Sequence, residues 1–82
     1  MLYYLSNQQS ESGMSLSMKI RSIRLQLKMS QREFAKNIGF SQTAVAQWEL
    51  GQKTPTFQSM LSIFNFSKSK RIKIKRSEFF SM

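Results

Sequence analysis

The chain has no cysteine, no histidine and no aspartate; its four acids, Glu11, Glu33, Glu49 and Glu78, are scattered along 82 residues. Without cysteine there is no disulfide frame and no thiolate zinc site. Without histidine and aspartate, Ser-His-Asp and Cys-His triads and His-rich metal sites are excluded as well. The chain is therefore expected to be no enzyme and to carry no catalytic residue, no metal and no cofactor. Long apolar runs are also missing. The longest, Met60 to Phe66, contains Ser62 and Asn65 and falls far short of the ~20 residues needed to span a bilayer. Negative charge is scarce: thirteen Lys/Arg against four Glu give +9 and a pI near 10.6. A basic surface on a chain that holds one small domain points to a polyanion, nucleic acid first and an anionic membrane second.

Residues 1–17 open on a short apolar stretch, Met1–Leu5, and continue as a Ser/Asn/Gln-rich segment without helical or alternating period. They lack the basic start and the apolar run of ~7–15 residues of a signal peptide, and read as a disordered arm. Residues 18–66 carry helical patterning. Ile20, Ile23 and Leu27 recur at helical spacing in the first segment. Ser30 with Glu33 three residues later is a capping box, Phe34, Ala35 and Ile38 follow as an apolar stripe, and Gly39 closes the helix in the left-handed conformation. Ser41 caps a third helix, whose Ala44, Val45 and Trp48 face inward and which Gly51 ends. Thr54 is the expected cap of a fourth helix, with Pro55 at its first position and Phe57, Met60, Leu61 and Phe64 as its apolar face. Ile63 and Phe66 lie beyond that face and are candidates to meet a second copy. Residues 67–82 change character. Six cations fall between Lys68 and Arg76, and Arg71–Lys75 alternates polar and apolar. That alternation suits a short strand, and a frayed basic tail is the other reading.

Gln31 to Leu50 is the informative unit: helix, glycine turn, helix. Ala35 is small enough to let the second helix cross closely, Gly39 supplies a positive φ, and Phe34, Ile38, Val45 and Trp48 lock the pair. Small, glycine and apolar residues at these offsets are the signature of a DNA-binding helix-turn-helix.

Residues 19–66 resemble the lambda-repressor-like, Cro/cI-type (Xre family) DNA-binding domain. The resemblance rests on I-R-x-x-R at Ile20–Arg24, S-Q-x-E-F-A at Ser30–Ala35, G-F-S-Q at Gly39–Gln42 and W-E-x-G-x-x-x-P at Trp48–Pro55. It implies an all-α bundle of four or five helices that binds double-stranded operator DNA, usually as a homodimer. It further implies a cytoplasmic protein of prokaryotic or phage origin, nucleoid-associated when bound. After the fourth helix the sequence departs from the family pattern, with the Lys/Ile/Arg segment where a fifth helix is usual. A strand there is similar to the ending of some antitoxin repressors.

The chemistry of the third helix suits groove reading. Gln42, Thr43, Ala46 and Gln47 lie off its apolar stripe. A glutamine amide matches adenine bidentately, and Thr43 and Ala46 can touch a thymine methyl. Gln31 and Arg32, in the first turn of the second helix, are candidate phosphate contacts, where free N–H groups and the helix dipole favour an anion. Lys53 and Thr54, in the loop after the third helix, are two more. The resemblance implies that Arg24 and Glu49 meet as a partly buried, structural salt bridge.

Three functions follow. The first is a dimeric, sequence-specific transcriptional regulator, a repressor before an activator. The second is an antitoxin that binds a toxin protein and represses its own operon. The third, a basic membrane-surface or RNA-binding peptide, explains the charge but not the helix-turn-helix.

Overall fold

The structure, a computed structural model, describes residues 15–80. Most of the expected arm, residues 1–14, and the last two residues lie outside the described part. Five helices follow one another: α1 (Leu16–Gln26), α2 (Gln31–Ile38), α3 (Gln42–Glu49), α4 (Phe57–Ser69) and α5 (Arg76–Phe80). The fold is all-α, with no strand among the described residues. No helix among them is long and apolar enough to cross a membrane.

Local chemistry sets most helix ends. α1 starts before residue 18, inside the segment expected to be disordered, because Ser15 caps it by accepting the Met18 N–H. Leu16, brought into the helix by that cap, packs against the core. In α2 the capping box is complete. Ser30 Oγ accepts the Glu33 N–H at 3.0 Å, and Glu33 Oε1 accepts the Ser30 N–H at 2.9 Å. Gly39 then adopts φ +83°, and its N–H and that of Phe40 both return to the Ala35 carbonyl. A Cβ at Gly39 would meet nothing within 4 Å, so glycine is required there by backbone conformation and not by space. Ser41 caps α3 by accepting the Ala44 N–H at 3.1 Å.

α4 corrects two expectations. Its cap is Thr56, not Thr54: the Thr56 hydroxyl accepts the Ser59 N–H at 3.1 Å. Pro55 therefore precedes the helix, and it is buried there. The buried stripe is Met60, Ile63, Phe64 and Ser67, rotated from the expected one. Ile63 is 0 % exposed and cannot face a partner, whereas Phe57, placed inside by the sequence, is 65 % exposed. Ser67 continues the stripe because its hydroxyl donates to the Ile63 carbonyl at 2.7 Å, which satisfies the polar group inside the core.

The expected strand at Arg71–Lys75 is absent. Arg71 takes φ +63° and turns the chain, and the Ile72 N–H bonds back to the Ser67 carbonyl. A strand needs a ladder partner, and this segment finds none among the described residues. The alternation survives in another form: Ile72 and Ile74 are half-buried, while Arg71, Lys73 and Lys75 are exposed. Ile74 packs against the core. A fifth helix follows, later than the family pattern puts it and within the four or five that the resemblance implies, and it delivers Phe79 to the interior at 1 % exposure, against Phe64.

One core results. Ile20 and Ile23 come from α1, Phe34, Ala35 and Ile38 from α2, Val45 and Trp48 from α3, and Met60, Ile63 and Phe64 from α4. Its effect is to hold α2 and α3 in one fixed angle, with α1 and α4 behind them.

Candidate nucleic-acid interface

The α2–turn–α3 unit is built from short-range chemistry. Ala35 is buried on the inner face of α2. Phe40, in the turn, meets Trp48 edge-on at 5.4 Å between ring centroids. Val45 and Trp48 are buried and fix the rotation of α3 about its own axis. That rotation decides which side chains remain outside.

Gln42 and Thr43 are exposed in the first turn of α3, just after the Ser41 cap. Ala46 and Gln47 are half-buried one turn further on. The Gln47 carbonyl accepts the N–H groups of Gln52 at 2.9 Å and Lys53 at 3.3 Å, so the loop after α3 folds back onto the helix end. Lys53 and Thr54 are exposed on that loop. Arg32 is exposed in the first turn of α2.

Gln31 is placed differently from Arg32. It is half-buried, and its Nε2 donates to Glu49 Oε1 at 3.1 Å. Glu49 also binds Arg24. Arg24 Nε donates to Glu49 Oε2 at 2.7 Å and its second terminal nitrogen to Oε1 at 2.9 Å. The remaining terminal nitrogen of Arg24 donates to the Met29 carbonyl at 2.9 Å. One guanidinium thus joins the end of α1, the turn before α2 and the last turn of α3. The side chains are 12 % exposed for Arg24 and 5 % for Glu49. The hydrogen bond that Arg24 donates to Glu49 raises the pKa of Arg24, against the lowering effect of burial and with further help from the carboxylate charge. A raised folded-state pKa means that the pair's contribution through Arg24 is complete below the ordinary arginine range and is lost only at more alkaline pH.

The link from Gln31 to Glu49 has no signal in the sequence. Eighteen positions separate the two residues, and a surface glutamine at a helix start looks the same whether or not it meets a carboxylate. The bond from Arg24 to the Met29 carbonyl is equally invisible there.

The arrangement presents a short helix with exposed amide and hydroxyl groups at its N-terminus. Near it in the chain lie Lys53 on the loop that follows and Arg32 in the first turn of α2. Such a surface can donate and accept hydrogen bonds at base edges and place N–H groups and cations against phosphates. A family model described as helix-turn-helix matches residues 20–66, more than half of the chain. No curated protein and no solved structure matches it.

Proposed function

Because the chain belongs to the Cro/cI-type helix-turn-helix family of DNA-binding transcription regulators, we propose that it binds operator DNA as a homodimer, with α3 in the major groove, and represses transcription there. The observation that carries this reading is the exposure of Gln42 and Thr43 at the start of α3, above a buried Val45–Trp48 face. Residues at the N-terminus of a recognition helix reach base edges. Gln42 and Gln47 are five residues apart, about 140° around the helix, so they flank the face that Thr43 and Ala46 fill. Arg32, Lys53 and Thr54 supply phosphate contacts on either side. Gln31, bound to Glu49 through one amide hydrogen, retains the second for a phosphate.

Two copies are needed because one half-site gives few contacts, and a dimer reads two half-sites about one helical turn apart. The antitoxin reading draws its support from a C-terminal strand that pairs between subunits; within the single chain residues 71–75 form no strand, and the repressor reading is the one carried forward. The experiment is selection of bound sequences from random duplex DNA, with the mass of the selected complex. A palindromic site bound by two chains supports the proposal. Retention of duplexes without any sequence preference contradicts it.

A further inference from the structure

The cations of the C-terminal segment lie away from the surface just described. α4 separates them from the loop that bears Lys53 and Thr54: Thr56 caps one end and Lys70 the other, about 21 Å apart at ~1.5 Å per residue. From the last turn of α4 to the start of α5, Lys68, Lys70, Arg71, Lys73, Lys75 and Arg76 are all exposed, and none is ion-paired among the described residues. The one acid in the segment, Glu78, has its side chain exposed and forms no salt bridge there.

The local structure holds these charges outward. Ile72 is half-buried and Ile74 packs against the core, while Arg71, Lys73 and Lys75 remain outside. Arg76 lies over the Phe64 ring at 5.3 Å, Lys68 over the same ring at 6.0 Å, and Lys70 over Phe66 at 5.7 Å. Aromatic faces steady the stems without neutralising the charge. Six like charges within nine residues repel one another, a cost that a bound polyanion relieves.

We propose that this ledge between α4 and α5 is a second phosphate-binding surface, which grips nucleic-acid backbone outside the base pairs read by α3. Its chemistry favours backbone over bases. Four of the six cations are lysines, point charges that lack the bidentate fork used to read guanine. It favours nucleic acid over a membrane because neither isoleucine of the segment is exposed, Ile72 being half-buried and Ile74 packed against the core, whereas interfacial binding needs apolar side chains directed outward beside the charges. The backbone can belong to the flank of the same duplex or to a second duplex. The inference rests on the chain being a DNA-binding protein, not on α3 being the reader.

The test uses the full chain and a variant with Lys70→Gln, Lys73→Gln and Lys75→Gln, all exposed positions, with a milder Lys73→Gln/Lys75→Gln chain as a second variant. Probes are mixed-sequence DNA duplexes of about one helical turn, ~10 bp, and of three times that length. Binding is measured across a salt series. The triple variant is expected to lower the log–log salt slope by up to about 2.7, at ~0.9 for each phosphate no longer neutralised, and the double variant by up to about 1.8 on the same basis. A reduction confined to the long duplex assigns the contact to flanking backbone. A reduction on both, with the parent chain but not the variant holding a second labelled duplex beside an immobilised one, assigns it to a second duplex. Unchanged slopes in both variants overturn the proposal, as does an unchanged DNA slope together with weakened binding to phosphatidylserine vesicles. The α3 reading is tested by sequence preference, which binding to mixed-sequence duplexes does not report, so the two can fail separately.

Discussion

Gln31 donates its amide to Glu49 across 3.1 Å and so ties the first turn of α2 to the last turn of α3. The acceptor is a carboxylate, and it sits at a helix C-terminus, where the dipole disfavours negative charge. The bond therefore has two roles. It holds the angle between the two helices, and it orients Gln31 at the rim of the candidate interface. Gln31→Ala is expected to cost about 1.5–3 kcal/mol, the range for hydrogen bonds to charged groups. Denaturant unfolding checks this, and a cost well below about 1 kcal/mol on the same scale would show the bond to be incidental.

Arg24→Ala removes both guanidinium bonds to Glu49 and the one to Met29, and leaves a carboxylate 5 % exposed with Gln31 alone. Stranding one member of a buried pair costs about 3–5 kcal/mol. The double change Arg24→Met with Glu49→Leu should recover much of that, since it strands no charge. Thermal unfolding of the three chains tests the ordering. A double variant less stable than Arg24→Ala would contradict it.

Phe79 gives α5 its hold on the rest of the fold. It is 1 % exposed and lies against Phe64 at 6.1 Å between centroids. Phe79→Ala should cost about 3–5 kcal/mol, as for other buried phenylalanines. Truncation after Ser69 should destabilise the single chain to a similar degree. If truncation changes only the dimer and leaves monomer stability untouched, Phe79 is not part of the core that stabilises the monomer.

Among the described residues, four chain reversals use a positive φ, two with glycine and two without. Gly39 and Gly51 adopt it freely, while Lys28 at φ +59° and Arg71 at φ +63° carry a Cβ there. Lys28→Gly is expected to stabilise the fold by up to about 1 kcal/mol, and Gly39→Ala to destabilise it by about 1–2 kcal/mol. Melting temperatures of the two variants should move in opposite directions, and a shift of the same sign in both would refute this account of the turns.

What the sequence makes legible is chemistry that closes within one helical turn. Ser30, Glu33, Gly39 and Ser41 act on backbone groups three or four residues away, so residue type and spacing alone reveal their roles. The Cro/cI-type motifs place the α2–α3 pair for the same reason. Thr54 looks like a cap because proline suits the first helical position. Burial of Pro55 outside the helix is a tertiary effect and moves the cap to Thr56. Ser67 hides the true stripe of α4, since a serine counts as polar unless its hydroxyl bonds inside the helix, as here to the Ile63 carbonyl. α5 is five residues long and depends on Phe79 reaching Phe64, a contact without local signal. Within the interface, the direction of α3 is legible from Val45 and Trp48. The commitment of Gln31 to Glu49 is not.

The claim at the centre of this account is that Gln42, exposed in the first turn of α3, reads a base. The most direct measurement is binding of Gln42→Ala to the preferred duplex and to a scrambled duplex at one salt concentration. The expected result is a loss of about 1–3 kcal/mol on the preferred duplex and little change on the scrambled one. Equal losses on both would show that Gln42 contacts only backbone, and that α3 is not inserted as proposed.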